Sequence, residues 1–181
     1  MTGLLANELR NRGLQYVAIK IISSKASQAF NEVVITRSIE ANEAARDHVV
    51  TLLDHFKCVG PNGEHDCLVF EPMGPSVVAL FGRSIPYREG RSMSRQLLTA
   101  LQCLHNLRLA HVDTHPGNLL VSLTRPIEGL SEGGKSMSTQ SNGKRNPCAP
   151  RHIHQGRPLT EFWDDKAPTK LKLSDFGVGT Y

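Results

Sequence analysis

Three side chains within one short stretch, His111-Val112-Asp113-Thr114-His115-Pro116-Gly117-Asn118, have the types and spacing to do chemistry: His111, Asp113 and Asn118. A carboxylate can orient a hydroxyl and take its proton, and an amide oxygen can ligate a hard cation without adding charge. Set five residues apart on one loop, Asp113 and Asn118 could act on one small volume, the first on an attacking hydroxyl and the second on a cation that holds phosphate oxygens. Pro116 and Gly117 between them are turn formers, as a loop that reverses so sharply requires. Proton transfer beside a bound cation is the chemistry these types allow. A plain His-Asp turn between a helix and a strand would need no more than these residues, so the loop has to be supported from elsewhere in the chain.

That support comes from the order of two further stretches. Val17-Ala18-Ile19-Lys20 lies upstream and Leu173-Ser174-Asp175-Phe176-Gly177 downstream, one offering an ammonium for phosphate oxygens and the other a second carboxylate for the cation. The elements that must position them can be read from periodicity. Residues 15–22 are short and β-branched, a strand that would project Lys20 from a rigid base. Over 26–43, Ala29, Phe30, Val33 and Val34 make an approximate helical stripe with Glu32 beside it, which allows a Lys20–Glu32 ion pair; a solvated helix glutamate is the competing reading. Residues 49–56 and 67–71 read as two strands of a hairpin around Gly60-Pro61-Asn62-Gly63. Ser92 or Ser94 can cap a helix whose Leu97, Leu98, Leu101 and Leu104 recur at helical spacing and form core. Leu119-Leu120-Val121 after Asn118 and Leu171-Lys172-Leu173 before Asp175 are expected to pair as short strands.

With these stretches in this order the chain resembles a eukaryotic serine/threonine protein kinase, most closely the fungal relatives of the SR-protein kinases. Asn31-Glu32-Val33, Cys67-Leu68-Val69-Phe70-Glu71-Pro72-Met73-Gly74 and Leu97-Leu98-Thr99-Ala100-Leu101-Gln102-Cys103-Leu104-His105 carry the likeness further. The resemblance implies an α+β, protein-kinase-like bilobal fold and the use of ATP and Mg2+. It implies Asp113 as the catalytic base, with His115 at the position where such kinases commonly have a lysine. Asn118 and Asp175 would hold the metal, and Lys20, oriented by Glu32, the α- and β-phosphates. Phe70 would be the gatekeeper, and Glu71 and Met73 would offer backbone groups to the adenine. The implied partner is a protein substrate, one rich in Arg-Ser dipeptides, phosphorylated in the cytoplasm or nucleus.

Composition sets wide limits around this reading. Hydrophobic content of 39% and charged content of 21% are those of an ordinary globular chain. A formal charge of +4, with basic residues gathered only around Lys144, Arg145, Arg151 and Arg157, does not call for nucleic acid. There is no apolar run near membrane-spanning length, so no membrane partner is expected. Cys58, Cys67, Cys103 and Cys148 form no CxxC pair and no metal-ligand spacing, and Cys67 and Cys103 read as small core residues. Far more chain separates Asn118 from Asp175 than two neighbouring strands need. Its stretch from Ser131 to Gly143 is almost without apolar residues and reads as a flexible loop, with Phe162-Trp163 folding back to pack. The expected organisation is a partial small lobe with its hinge over 1–74, the start of a large lobe over 75–123, an insert over 124–170 and a magnesium-binding segment over 171–181.

Departures from the family's pattern bear on activity. Val112 stands where the loop usually has arginine, removing the partner of an activation-loop phosphate. Before Lys20 only Gly3 and Gly13 are present, so no G-x-G-x-x-G lid is recognisable, and the chain reads as truncated at both ends. If His115 serves as a weaker cation than lysine, His115→Lys should preserve or raise turnover. Two other readings stay open: a small-molecule kinase of the same superfamily, whose loops share His-x-Asp-x-His-Pro-Gly-Asn, and a pseudokinase or binding fragment without chemistry.

Overall fold

The computed structural model describes residues 3–9, 14–22, 28–60, 63–80, 85–127, 140–141, 144–145, 153–155, 159–164 and 166–177. In chain order the elements are β1 (Gly3–Leu9), β2 (Leu14–Ile21), α1 (Gln28–Glu40), α2 (Glu43–Arg46), β3 (Leu52–Gly60), β4 (Gly63–Phe70), α3 (Val77–Leu80) and α4 (Tyr87–Asn106). Then follow β5 (Leu119–Val121), β6 (Gln140–Ser141), β7 (Lys144–Arg145), β8 (Ile153–Gln155) and β9 (Leu171–Leu173). Two compact units divide them. The first comprises Met1–Ala29, Leu52–Pro72 and Ile127–Arg157, the second Phe30–Thr51, Met73–Pro126 and Pro158–Tyr181.

The first unit is an antiparallel sheet in the order β3-β4-β2-β1-β8. Strand alternation decides its faces. Val17 and Ile19 of β2 and Cys67 and Val69 of β4 are buried together, with Leu53, Phe56 and Cys58 of β3 leaning on them. Lys20 therefore falls on the opposite face with its register partner Leu68. The β3–β4 hairpin runs longer than the sequence suggested, because pairing continues through Lys57↔Asp66 and Val59↔Glu64 to Gly60↔Gly63. On β4 the outer positions Glu64, His65 and Asp66 are polar, so its apolar run ends at Cys67 and only the turn marks where the strands end. Gly63 has φ 108°, a conformation that a residue without Cβ adopts cheaply. Strand β1, which pairs with β2 from Gly3↔Lys20 to Leu9↔Leu14, was not anticipated. The connection 10–13, where a glycine-rich lid was sought, lies outside the described residues.

The second unit gathers one core from α1 (Ile35, Ile39), α3 (Val77, Leu80), α4 (Met93, Ala100, Leu104) and the β5–β9 pair (Leu119, Val121, Leu171, Leu173). Three sequence expectations need correction here. In α1 the buried face is Glu32, Val33, Ile35, Thr36 and Ile39, whereas Val34 is exposed. In α4 the inward stripe is Leu97, Leu101 and Leu104 at i, i+4, i+7, which turns Leu98 about 100° away and leaves it 67% exposed. That helix also begins at Tyr87 behind Pro86, not at Ser92 or Ser94. Proline is tolerated ahead of a first turn, and the Ser94 hydroxyl instead donates back to the Gly90 carbonyl.

The units do not follow the expected boundaries. Residues 30–51 join the second unit because Ile35, Ile39, Ala45 and Val49 belong to its core, and the end of the expected insert joins it through Trp163. Leu159 nearby is 2% exposed, so this end of the insert packs through Leu159 and Trp163 while Thr160 and Glu161 between them are exposed. Of the polar stretch 131–143, residues 131–139 and 142–143 lie outside the described residues, while Gln140–Ser141 is not loop but the short strand β6 paired with β7.

Candidate active site

Helix α4 delivers the chain to the loop through a turn that reverses its path. Arg108 N–H donates to the His105 carbonyl and Leu109 N–H to that of Leu104, with Arg108 at φ 59°, the Schellman arrangement in which the residue after the helix is left-handed. Leu109 is thereby buried and His111 enters the interior at 2% exposure. His111 Nε2 lies 2.9 Å from the Ser174 carbonyl, so this nitrogen carries the proton. The ring meets Phe176 edge-on, with centroids 4.9 Å apart. His111 is thus a fastener between the loop and the segment after β9, not a reacting group.

Directly after it, Asp113 N–H donates to the His111 carbonyl at 2.8 Å across Val112, whose φ is 65°. This three-residue turn throws the Asp113 side chain outward, where about half of it is exposed. Asn118 then holds Asp113 from the other end of the loop: its Nδ2 donates to the Asp113 carbonyl at 3.0 Å and to Oδ2 at 3.2 Å. With Nδ2 so used, Oδ1 is the amide atom that can face a cation. His115 sits between them, its Nδ1 accepting from Gly117 N–H at 3.0 Å and its Nε2 3.6 Å from Asp113 Oδ2, beyond hydrogen-bond length.

Asp175 reaches the same place from the far end of the sequence. Strands β5 and β9 pair in the register Leu119↔Leu173, so Asn118 and Ser174 meet at the end of the ribbon. Ser174 donates twice to the Asn118 carbonyl, from N at 2.8 Å and from Oγ at 3.0 Å. Asp175 follows at φ 68°, its Oδ1 accepting from Gly177 N–H at 3.4 Å. The ribbon is held on every side. Gln96 of α4 clamps β9 with both amide atoms, Nε2 to the Thr169 carbonyl and Oε1 from Leu171 N–H, each 2.8 Å. On the other flank Leu173 exchanges backbone hydrogen bonds with His48 and Val50. Gly74 N–H donates to the Val121 carbonyl at 2.8 Å, and a Cβ at Gly74 would meet Val121 Cγ2 at 2.9 Å and its carbonyl oxygen at 3.0 Å. Gln96, Ser174 and Gly74 had not been singled out from the sequence. Their contributions are backbone contacts, for which periodicity gives no signal.

The sequence-derived site residues therefore fall into two groups. All of Asp113, His115, Asn118 and Asp175 lie in the second unit, where Asn118 bonds the Asp113 carboxylate directly and meets Asp175 through its neighbour Ser174; Glu32 and Met73 belong to that unit too. Lys20 and Glu71 belong to the first unit, both half-buried. Glu32 is 2% exposed, which removes the reading of a solvated helix glutamate, since a carboxylate so buried has to be paired. Among the described residues no three or more His, Cys, Asp or Glu side chains converge to hold a metal. An amide and one carboxylate suit Mg2+, which keeps several waters and shares its coordination with phosphates.

The comparisons with known proteins bear on this arrangement. No protein-family model matches the chain. It is 32% identical over 157 residues to the serine/threonine-protein kinase SRPK of Physarum polycephalum, covering 78% of this chain and 37% of that protein. It resembles the SR-protein kinases. Similarity to the kinase SKY1 of Saccharomyces cerevisiae is 28% over 170 residues, covering 86% of this chain and 22% of the relative. Protein kinase dsk1 of Schizosaccharomyces pombe is 32% identical over 138 residues, 70% of this chain and 25% of dsk1. The chain thus spans well under half the length of the SR-protein kinases it matches. A solved kinase-domain crystal structure, 24% identical, superposes on all of this chain and on 48% of its own, with a TM-score of 0.61. The fold is that of part of a protein kinase.

Proposed function

We propose that this chain carries the catalytic loop and metal-binding segment of an ATP-dependent protein serine/threonine kinase. One observation supports it most: Asn118 binds the Asp113 carboxylate through its side chain and, through its backbone carbonyl, Ser174 next to Asp175. In this reading Asp113 orients the substrate hydroxyl and takes its proton, and Asn118 and Asp175 hold Mg2+, which would neutralise charge on the β- and γ-phosphates. By the likeness, Lys20 and Glu32 would serve the α- and β-phosphates, and the backbone at Glu71 and Met73 the adenine. The names of the relatives support a protein substrate, and the likeness favours one rich in Arg-Ser dipeptides. The reading carries with it a cytoplasmic or nuclear compartment.

Two measurements test it. Titration with ATP and Mg2+ should raise the melting temperature, because a ligand that binds only the native state stabilises it. Transfer from γ-labelled ATP should reach an Arg-Ser peptide and fall by about a hundredfold or more in Asp113→Asn. Phosphorylation of choline or an aminoglycoside instead of the peptide would favour the small-molecule reading. Nucleotide binding without transfer would favour the pseudokinase.

A further inference from the structure

His115 occupies the position at which the sequence suggested a weak substitute for a lysine cation. Its surroundings use it differently. Nδ1 accepts a hydrogen bond from Gly117 N–H, two residues on, closing the first turn of a short 3-10 segment over Pro116–Asn118. An imidazole that accepts at Nδ1 has its proton on Nε2, and a doubly protonated ring has no acceptor at all. The ring also lies so close to Gly117 that a Cβ there would come within 2.6 Å of Cε1 and 2.9 Å of Nδ1. Gly117 is therefore small for the ring's sake, and it is not among the residues with a positive φ. Seated this way, Nε2 faces Oδ2 of Asp113 at 3.6 Å, the same oxygen that Asn118 Nδ2 reaches at 3.2 Å.

Resting on the kinase reading above, we propose that His115 is a positioning residue whose ring closes the Gly117 turn and faces Asp113 Oδ2. Its Nδ1 is committed to the Gly117 N–H, which confines its proton to Nε2. Together with Asn118 it turns Oδ2 of Asp113 toward the loop and leaves Oδ1 for the substrate hydroxyl. Contacts of this kind commonly shorten when a ligand seats, and the 3.6 Å separation leaves room for that. A lysine at 115 has three donors and no acceptor, so it could not close the Gly117 turn, and the expected outcome of His115→Lys reverses. An asparagine could close it, since its side-chain oxygen accepts from the N–H two residues on in an Asx turn.

The test combines spectroscopy with turnover. In the 15N-histidine-labelled chain, long-range 1H–15N correlation should show His115 Nδ1 as the accepting nitrogen; an Nδ1–H ring overturns the proposal. The Gly117 amide should exchange slowly in the wild type and in His115→Asn, and roughly three- to tenfold faster in His115→Lys, as loss of one hydrogen bond predicts. Gly117→Ala, which displaces the ring, should shift the His115 signals. In phosphoryl transfer, His115→Lys should lose about tenfold in kcat and His115→Asn about threefold, with KM for ATP little changed. Lysine equal to or better than asparagine would overturn the proposal. Absence of transfer by the wild type would count against the kinase reading alone, because the tautomer and the Gly117 exchange decide the role of His115 without it.

Discussion

Val112 offers a prediction in which removing a residue's own preference should stabilise the fold. It is the central residue of the turn closed by Asp113 N–H and the His111 carbonyl, at φ 65°. A turn of this form is rare and strained, and for a β-branched residue a positive φ is a true outlier. The cost for an L-residue is about 1–2 kcal/mol. Little burial offsets it, since Val112 is 65% exposed. A third of the roughly 1.5–3 kcal/mol available from burying a valine is about 0.5–1 kcal/mol. Val112→Asn, whose side chain tolerates this conformation, should therefore gain about 1 kcal/mol. Val112→Gly should gain about half as much, because glycine adds freedom to the unfolded chain worth about 0.5–1 kcal/mol. Val112→Ile, still β-branched, should gain nothing. The single tryptophan, Trp163, is buried in the core of the same unit and reports its unfolding by fluorescence. With an m-value of about 2 kcal/mol/M, the urea midpoint of Val112→Asn should rise by about 0.5 M at unchanged slope. An unchanged or lower midpoint, or isoleucine matching asparagine, would refute the strain argument.

Three further outcomes follow from the same structure. Arg108→Gly should raise the urea midpoint modestly, by about 0.5–1 kcal/mol of stability, since Arg108 holds the left-handed position after α4 that glycine prefers. Gly74→Ala should destabilise by about 1–3 kcal/mol in the same assay, because the new methyl would meet Val121 side chain and backbone at 2.9 and 3.0 Å. Burial, with smaller contributions from Cys58 and Asp66, pushes the Cys67 thiol up from 9.0 to about 11. The folded chain then keeps a proton that the unfolded chain releases, so this contribution is whole below pH 9.0 and fades as pH rises toward about 11. The loss is on the order of 2–3 kcal/mol. Urea midpoints between pH 8 and 11 should fall less in Cys67→Ala than in the wild type; parallel curves would contradict the assignment.

Much of the candidate site could be read from the sequence because the chemistry proposed for it depends on residue types that few structural roles demand. Asp113, Asn118 and Asp175 are polar groups flanking short apolar runs, and pairing of 119–121 with 171–173 follows from those runs alone. The parts that escaped are those in which the backbone is the partner. Gln96 looked like a polar helix residue, yet it clamps Thr169 and Leu171. Val34 and Leu98 were assigned to the core by hydrophobicity, but a stripe seen over few turns leaves its angular centre uncertain by one position, and both are exposed. The hydrogen bond from Gly117 N–H to His115 Nδ1 was hidden for a related reason: a side chain's charge can be inferred from its type, whereas the N–H to which it points cannot.

The long separation of Asn118 from Asp175 is less of an obstacle than it looks. Loop closure grows only logarithmically, and each doubling of a flexible connection costs about 0.6 kcal/mol, so a severalfold longer link costs on the order of 1 kcal/mol. Bonds at the base of the insert offset part of that cost. Thr124 N–H donates to the Phe162 carbonyl at 3.0 Å, Arg125 N–H donates to the same oxygen at 3.2 Å, and Asp164 N–H returns to Thr124 Oγ1 at 2.8 Å. These bonds close the intervening residues at their base, with Trp163 buried beside them. From Thr124 to Phe162 the ribbon crosses a few hydrogen bonds instead of a long loop, so its effective connection is short. The register Leu119↔Leu173, and with it the meeting of Asn118 and Ser174, is then set by local pairing, whatever the length of chain beyond the closure.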